Sequence, residues 1–361
     1  MMSKIEKLKI GIIGCGFSQN FISVYRQHPN VECVGICDSN PQRLADVGDR
    51  FGIENRHTCL DDMLNDGGYD AIQIMTPIHM HTEQTVAVLN AGVHCACAVP
   101  MATSIDDMRT IAAAQRQSGR KYMMFEPNAY WDEVLFVKGL LERGEMGRIQ
   151  LLRGMQSYNL NTHPPYWLGF PPMHYISHAI APLIEVAGKR ATHVHCYGSG
   201  HMQEEFQKTF GNPYPSESAI FRMDGGEIAA EVTITFFDTA VQGREGFDAY
   251  GEKASFKWRE FAGEKHGLIQ LDDDYTCHAD RIEIPTCLDG MPEELYNYMF
   301  KGSAYAAFAR LTHEFITSII EDREPYINAE RAFSYVAPGL CAHESAMNDG
   351  KEVIIPTLHG I

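Results

Sequence analysis

The sequence predicts an α/β fold with two domains: an N-terminal parallel sheet flanked by helices, and a C-terminal α+β region with an open, mostly antiparallel sheet. At 361 residues the chain exceeds the usual size of one domain. Residues 9–125 alternate apolar strand-like runs with helical segments, which is typical of parallel strands joined by crossovers. Residues 218–257 alternate apolar and polar side chains with period two, as an antiparallel sheet with one polar face does. We therefore expect domains at residues 1–125 and 126–361.

Apolar runs bounded by turn residues mark the individual elements. The first domain is predicted to contain helices between strands at residues 8–13, 31–37, 70–75, 94–98 and 122–125. The second is predicted to contain a helix at about 130–143, a strand at 151–155, and a late helix whose apolar face comprises Phe308, Leu311, Phe315 and Ile319. Polar composition predicts loops at residues 200–217 and 272–295.

Composition and charge exclude several classes of function. The chain has 47 acidic and 30 basic residues, a net charge of −17 and no basic block, so nucleic acid and anionic membrane surfaces are not expected partners. No run approaches the ~20 apolar residues of a membrane span, and the first residues lack the apolar stretch of a signal peptide. The ten cysteines lack metal-finger spacing, which predicts a reduced, cytoplasmic protein.

A glycine-rich turn between the first strand and the following helix predicts a nucleotide-binding site. Gly14 and Gly16 allow a tight turn in which backbone N–H groups and the helix N-terminus approach a pyrophosphate. Asp38 ends the next strand 24 residues after Gly14, near the ~20 expected for an acid that binds the adenosine ribose. Its charge favours NAD over NADP, although the nearby Arg43 leaves NADP open. The predicted cofactor-binding residues here are Gly14, Gly16, Phe17, Ser18, Gln19, Asp38 and Arg43.

A second constellation is the pair His174 and His178. At i and i+4 spacing, a helix would place both imidazoles on one face, and imidazole is the side chain best suited to accept a proton near neutral pH. The alternative is a pair of packed or surface histidines. A zinc site would need a third ligand that the surrounding sequence does not supply, so no metal is expected.

Aromatic and polar side chains cluster after the last N-terminal strand and before the histidine pair. Aromatic faces with a few hydrogen-bonding groups suit a sugar, whose ring has apolar C–H faces and a polar rim. The alternative for each residue is a place in the core or in an interface. The candidate substrate-binding residues are Glu126, Tyr130, Tyr158, His163 and Trp167, with Tyr166 beside them.

As a set, these motifs resemble the glucose–fructose oxidoreductase and inositol dehydrogenase (Gfo/Idh/MocA) family. The set comprises Gly11-x-x-Gly14-x-Gly16, Asp38, Thr76-Pro77-x-x-x-His81, a strand leading to Pro100, and a histidine at position 178. The resemblance implies a Rossmann domain, a nicotinamide cofactor, hydride transfer at a sugar or cyclitol carbinol, and a second domain whose open sheet forms oligomer interfaces. A homodimer or homotetramer is therefore expected. By the same resemblance, the residues near the nicotinamide are Thr76, Pro77, His81, Val99 and Pro100.

Two positions depart from that family. The family commonly has Glu-Lys-Pro where this chain has Ala98, Val99 and Pro100, and its lysine assists proton transfer, so that mechanism cannot be carried over. The family also commonly has Asp where this chain has His174. The valine and proline, residues 123–126 with Tyr130, and residues 175–182 resemble the NAD-dependent α-N-acetylgalactosaminidases, to which glycoside 3-dehydrogenases are related.

The expected function is NAD-dependent oxidation of a secondary hydroxyl, the 3-hydroxyl, of a sugar or glycoside to a keto-sugar. His178 would accept the hydroxyl proton, and His174 or Tyr175 would hold or relay it. One alternative is a redox-neutral glycosidase that oxidises the sugar, eliminates the aglycone with Tyr130 or Glu126 as second base, and reduces the product again. Another is an NAD-binding regulatory protein without catalysis, which the missing lysine favours.

Overall fold

Residues 7–360 are described by the computed structural model, and the chain enters each of two structural units twice. The first unit comprises the chain up to Tyr130 together with Thr286–Phe333, and the second comprises Trp131–Pro285 together with the chain from Ser334 onward. The boundary expected at residue 126 lies close to the first crossing, but the prediction missed the return of residues 286–333. Sequence periodicity shows that a helix has an apolar face, and it does not show which sheet that face covers.

The helices and strands are numbered in chain order. In residues 7–130 they are β1 (Leu8–Ile13), α1 (Gln19–Gln27), β2 (Val31–Cys37), α2 (Pro41–Phe51), β3 (Arg56–His57), α3 (Leu60–Asp66), β4 (Ala71–Ile74), α4 (His81–Asn90), β5 (His94–Ala98), α5 (Ile105–Ser118) and β6 (Tyr122–Phe125). In residues 131–285 they are α6 (Asp132–Glu142), β7 (Ile149–Ser157), α7 (Ser177–Ala187), β8 (Ala191–Ser199), α8 (Glu204–Phe210), β9 (Ser216–Met223), β10 (Ala229–Thr235), β11 (Arg244–Gly251), β12 (Ala254–Lys257), β13 (His266–Leu271) and β14 (Cys277–Ile282). The last part contains α9 (Tyr296–Met299), α10 (Ser303–Ile320), α11 (Ala329–Ala346) and β15 (Val353–Ile354). None of the helices in residues 7–360 is long and apolar enough to cross a membrane.

The first unit is built on a six-stranded parallel sheet in the order β3-β2-β1-β4-β5-β6. This order confirms the predicted parallel sheet, and its strand order reverses at β1, where such sheets bind ligands beyond the carboxyl ends of the strands. Ser104 caps the start of α5, since its Oγ accepts a hydrogen bond from the Asp107 N–H at 3.1 Å.

The returning segment packs its apolar face on this sheet and on α1. Phe308 of α10 contacts Phe21 of α1 with ring centroids 4.9 Å apart, and Phe315 contacts Phe125 at 5.8 Å. The buried Arg310 donates hydrogen bonds to the carbonyl oxygens of Tyr130 and Cys287 at 2.8 and 2.5 Å. The apolar face predicted for this helix is therefore confirmed, and it supports α1, the helix that follows the glycine turn.

The second unit is built on a nine-stranded sheet in the order β14-β13-β12-β11-β7-β10-β9-β8-β15. Only β7 and β10 are parallel neighbours among the strands of residues 7–360 in this sheet, so the predicted mostly antiparallel sheet is confirmed. The two predicted loops are wrong in part, because they contain α8 and β14. Helix α8 is short and has Phe206 as its buried residue. Strand β14 is an exposed edge strand without an apolar pattern, so neither element has a clear sequence signal.

We expect Phe315→Ala to lower the free energy of unfolding of the first unit by about 3–5 kcal/mol, because it empties a fully buried position in α10. Urea denaturation monitored by fluorescence measures the loss. Phe300→Ala is the control, since that ring is 61% exposed and its removal should change the free energy by less than about 0.5 kcal/mol. Equal losses in the two variants would contradict the role given to the returning segment.

Candidate functional site

The turn that follows β1 has the geometry of a phosphate-binding turn. Gly14 has a φ of +95°, and a Cβ at this position would lie 2.5 Å from the carbonyl oxygen of Met75, so only glycine fits. A Cβ on Gly16 would meet no atom within 4 Å, which leaves open space where a ligand can approach the backbone. Helix α1 follows at Gln19 with no acidic residue in its first turn, and its N-terminus favours an anion.

The side chains of this turn have separate surroundings. Ser18 is buried, and its Oγ lacks a hydrogen-bond partner within the described residues, which is the kind of orphaned polar atom that a bound ligand or water completes. Phe17 is exposed, with its ring 6.3 Å from that of Phe308. Gln19 Oε1 accepts a hydrogen bond from Arg50 at 2.6 Å. The turn thus presents its backbone and no acidic side chain to a ligand, which suits a pyrophosphate.

Asp38 lies at the end of β2 beside this turn. Its Oδ2 accepts a hydrogen bond from the Cys15 N–H at 2.8 Å, and its Oδ1 accepts one from the Asn40 N–H at 2.8 Å. Arg43 Nη1 lies 3.3 Å from Oδ2. The carboxylate is therefore fixed next to the glycine turn, as a ribose-binding acid should be, and the residues present fit an NAD molecule. The adjacent guanidinium offsets part of the charge that would repel a 2′-phosphate.

The loops after β4 and β5 are joined through His81. Its Nδ1 lies 2.8 Å from the carbonyl oxygen of Pro100, its Nε2 lies 2.9 Å from that of Thr76, and burial lowers the pKa of the ring. Because both ring nitrogens contact backbone, His81 braces these loops from within. Pro77 follows Thr76 in the first loop, and Val99 precedes Pro100 in the second, through a cis peptide bond.

The end of β5 carries no acid or base. Val99, in the position of the family lysine, is 8% exposed and offers only an apolar surface. Cys95 and Cys97 are buried, and burial raises the pKa of Cys97 to about 12 and that of Cys95 well above its usual value. Neither thiol is therefore a nucleophile at neutral pH.

Glu126 and Tyr130 bound the turn that follows β6. Glu126 is fully buried, and its Oε1 accepts a hydrogen bond from the Asn128 N–H at 2.9 Å. The Tyr130 ring contacts that of Tyr326 at 6.0 Å, and its carbonyl oxygen accepts from Arg310. The structure thus places Glu126 as an anchor of its own turn.

In the second unit, His174 lies in a 3-10 turn (Pro172–Tyr175), and His178 lies in the first turn of α7. The prediction of one helix with both imidazoles on one face is therefore wrong. Pro171 and Pro172 fix the entry to the turn, and its hydrogen bonds run from residue i to i−3, as from the His174 N–H to the Pro171 carbonyl. Such a turn advances side chains by about 120° per residue, so the helical spacing does not apply.

Three of the predicted residues nevertheless lie together in the second unit. The Trp167 ring contacts the Tyr175 ring at 5.2 Å, and the Tyr175 ring contacts the His178 ring at 5.1 Å, both edge to face. Tyr166, which is 38% exposed, contacts Trp167 at 5.9 Å. We refer to Tyr166, Trp167, Tyr175 and His178 as the aromatic row. It offers apolar ring surface, which can pack against the C–H face of a sugar, next to an imidazole, which can accept the proton of a hydroxyl group.

His174 faces a different neighbourhood. Its ring contacts Phe170 at 5.8 Å and His343 at 4.9 Å, both nearly perpendicular. Burial, with His343 acting in the same direction, lowers the pKa of His174 to about 3. His174 is therefore neutral at pH 7 and is a weak proton acceptor.

Two residues that the sequence analysis missed hold this turn. Glu217 of β9 is fully buried, its Oε2 accepts a hydrogen bond from the Met173 N–H at 2.8 Å, and its Oε1 lies 2.7 Å from Nδ1 of His343 in α11. The available signal was strand parity, because Glu217 occupies the same buried face of β9 as Ala219, Phe221 and Met223. A carboxylate at a core position predicts a specific partner.

The remaining candidates are Tyr158 and His163. Tyr158 follows β7, and burial together with Glu245 raises the pKa of its hydroxyl, so it stays a neutral phenol. His163 is exposed ahead of the 3-10 turn Pro165–Trp167. Within residues 7–360, no group of three or more His, Cys, Asp or Glu side chains is arranged to hold a metal ion.

We expect Gly14→Ala to lower the thermal unfolding midpoint and to weaken NAD binding by about 100-fold, because its Cβ would collide with Met75. Gly16→Ala should leave the unfolding of the free protein unchanged and still weaken NAD binding by about tenfold, since only a bound pyrophosphate needs the space. Calorimetry measures both quantities. Unaltered NAD affinity in Gly16→Ala would show that the pyrophosphate binds elsewhere.

Asp38→Asn is expected to weaken NAD binding by about tenfold, because a charged hydrogen-bond acceptor for the ribose is lost. The ratio of NADP to NAD affinity should rise, since the charge that opposes a 2′-phosphate is removed. Asp46→Asn, at an exposed position of α2, is the control and should change neither affinity. If the NADP to NAD ratio stays constant in Asp38→Asn, Asp38 does not contact the ribose.

Comparison with known proteins bears on both units. Residues 8–126 match the model of a family described as oxidoreductases with an NAD-binding Rossmann fold. D-apiose dehydrogenase from Rhizobium rhizogenes is 30% identical over 144 residues, which cover 40% of this chain and 42% of that protein. A glycosyl hydrolase family 109 protein from Stenotrophomonas maltophilia is 22% identical over 265 residues, which cover 60% and 58%. The chain thus spans less than two thirds of the length of these curated relatives.

The solved structures extend the likeness to the rest of the chain. Levoglucosan dehydrogenase in complex with NADH and levoglucosan has a TM-score of 0.77 and 18% identity, covering 97% of this chain and 100% of that one. At this identity the likeness concerns the fold. Together with the Gly14 turn, these findings confirm the predicted resemblance: residues 8–126 match the NAD-binding Rossmann fold of the Gfo/Idh/MocA oxidoreductases, and the whole chain shares the fold of a solved dehydrogenase.

Proposed function

We propose that the protein is an NAD-dependent dehydrogenase that oxidises a secondary hydroxyl of a sugar or glycoside, at the 3-position, to the ketone. The observation that carries the proposal is the aromatic row, which ends at the imidazole of His178 in a chain that also contains an NAD-binding Rossmann domain. Two relatives, D-apiose dehydrogenase and levoglucosan dehydrogenase, are named for sugar substrates, which supports a sugar as the substrate class here.

The first unit would bind the cofactor. Residues 14–19 would hold the pyrophosphate and Asp38 the adenosine ribose, while the nicotinamide would be lined by Thr76, Pro77, Val99 and Pro100. When bound, NAD supplies an acceptor for the hydride that leaves the carbinol carbon. The apolar side chain of Val99 would exclude water from this wall and would take no part in moving a proton.

The second unit would bind the sugar and move its proton. Trp167 would pack against the apolar face of the ring, and a ring nitrogen of His178 would accept the hydroxyl proton as the carbon–oxygen bond becomes a carbonyl. Tyr175, whose ring contacts that of His178, would orient the imidazole and pass the proton on. Because His174 is neutral and weakly basic, it would not compete for this proton.

His178→Ala is expected to lower kcat for glycoside oxidation by about 100- to 1000-fold, which is the usual contribution of a positioned base. NAD affinity should not change, because the proposal assigns His178 to the hydroxyl proton of the sugar and not to binding of the cofactor. Absorbance of NADH measures the rate, and calorimetry measures the binding. His201→Ala, at an exposed position, is the control. An undiminished rate in His178→Ala would remove His178 from the mechanism.

A redox-neutral glycosidase is the second candidate, favoured by the similarity to the family 109 glycosyl hydrolase over 60% of the chain. In that case Tyr130 would act as the second base. Net accumulation of NADH with product supports the dehydrogenase, and release of aglycone without net NADH supports the glycosidase. Tight NAD binding with neither reaction, across a wide panel of sugars and glycosides, would favour a regulatory protein.

Assembly as a homodimer or homotetramer, and a cytoplasmic location, stay predictions from the resemblance and the cysteine pattern. Light scattering coupled to gel filtration gives the subunit count directly.

A further inference from the structure

We propose that Glu217 and His343 are positioning residues for residues 172–178, the segment that carries the proton-transfer groups. The inference rests on the proposed function, because it concerns the segment to which that function assigns Tyr175 and His178. Neither residue is part of the aromatic row, and both come from distant parts of the second unit's sequence.

Glu217 is the centre of the arrangement. It is fully buried, and its two oxygens contact two different elements: Oε2 the Met173 N–H at 2.8 Å, and Oε1 the His343 Nδ1 at 2.7 Å. When the Glu217 carboxylate is ionised it can only accept hydrogen bonds, and Nδ1 of His343 then carries the proton that lies between them. The carboxylate thereby fixes both the backbone of the turn and the tautomer and orientation of the imidazole.

His343 transmits this orientation to the turn. Its ring meets that of His174 with centroids 4.9 Å apart at an angle of 82°, and the His174 ring also contacts Phe170 at 5.8 Å. His174 is the residue directly before Tyr175. A displaced His343 would therefore leave the ring of His174, and the turn that holds Tyr175, without one of its supports.

The same helix also contacts the turn through its backbone. A Cβ on Gly339 of α11 would lie 2.0 Å from the Met173 carbonyl oxygen and 2.6 Å from Ile176 Cγ2. The turn is therefore held by β9 through the Met173 N–H and by α11 on its carbonyl side. A four-residue 3-10 turn has few hydrogen bonds of its own, so these outside contacts determine its position.

Comparing glutamate with glutamine at position 217 distinguishes a residue that orients His343 from one that only fills space in the core. Burying a carboxylate costs stability, and a glutamine could accept the Met173 N–H without that cost. A glutamine amide, however, can donate as well as accept, so it would not impose one tautomer on His343. We therefore expect the charge to serve the orientation of the imidazole.

The test compares Glu217→Gln with Glu185→Gln. Glu185 is a matched buried carboxylate of α7, bonded to Lys138 at 2.8 Å and to the Tyr335 hydroxyl at 2.6 Å. In the holoenzyme, Glu217→Gln should lower kcat for glycoside oxidation by about 10- to 100-fold with the KM for NAD unchanged, as a small misplacement does. Glu185→Gln should lower the thermal unfolding midpoint while kcat changes by less than about twofold.

A second measurement does not depend on the reaction. Nitrogen-15 spectra of histidine-labelled protein should show His343 as the Nδ1–H tautomer in the wild type and a changed tautomer state in Glu217→Gln. Unchanged spectra and kcat in folded Glu217→Gln would overturn the positioning role. The changed tautomer, combined with full activity of His178→Ala, would instead refute the proposed function while leaving the Glu217–His343 contact intact.

Discussion

The absence of a side chain at Gly14 is the constraint on which the first unit depends. The residue joins β1 to its two neighbours, since its N–H donates to the Cys37 carbonyl of β2 at 2.8 Å, while its Cα lies against the Met75 carbonyl after β4. Any Cβ there would force β1 and β4 apart at their carboxyl ends. The start of α1, the placement of Asp38 beside Cys15 and the open space at Gly16 all follow from that close approach.

The second unit has a corresponding constraint of opposite chemical character. There a carboxyl side chain is buried: Oε2 of Glu217 accepts a hydrogen bond from the turn that carries His174 and Tyr175, and its Oε1 contacts His343. A regular helix would have positioned these residues through its own hydrogen bonds. The proline pair at 171–172 has no N–H groups to donate, and Pro182 has no N–H to donate to the carbonyl of His178, as a regular helix would. Tertiary contacts replace the missing local ones.

This contrast explains which features the sequence could predict. The parallel strands, the Gly14 turn and Asp38 depend on short-range patterns, and the structure places them as expected. The return of α10 to the first unit depends on the contact of Phe308 with Phe21, 287 residues earlier (308 − 21), which no periodicity encodes. The contact of Glu217 with His343 spans 126 residues. The i and i+4 spacing of His174 and His178 wrongly predicted one helix with both rings on one face. A 3-10 turn and an α-helix share the same polar and apolar composition, so the sequence does not separate them.

Because position 99 holds valine, the end of β5 in the first unit lacks the lysine that assists proton transfer in the Gfo/Idh/MocA family. Val99 is apolar, burial raises the pKa of the Cys95 and Cys97 thiols, and both nitrogens of His81 contact backbone carbonyls, so these side chains of the loops after β4 and β5 offer no free proton acceptor. The family match covers only residues 8–126. The aromatic row and the Glu217 contacts lie outside that range, in residues 131–285 and those after 334. Since this part is matched at low identity, the names of relatives constrain the cofactor more closely than they constrain the sugar.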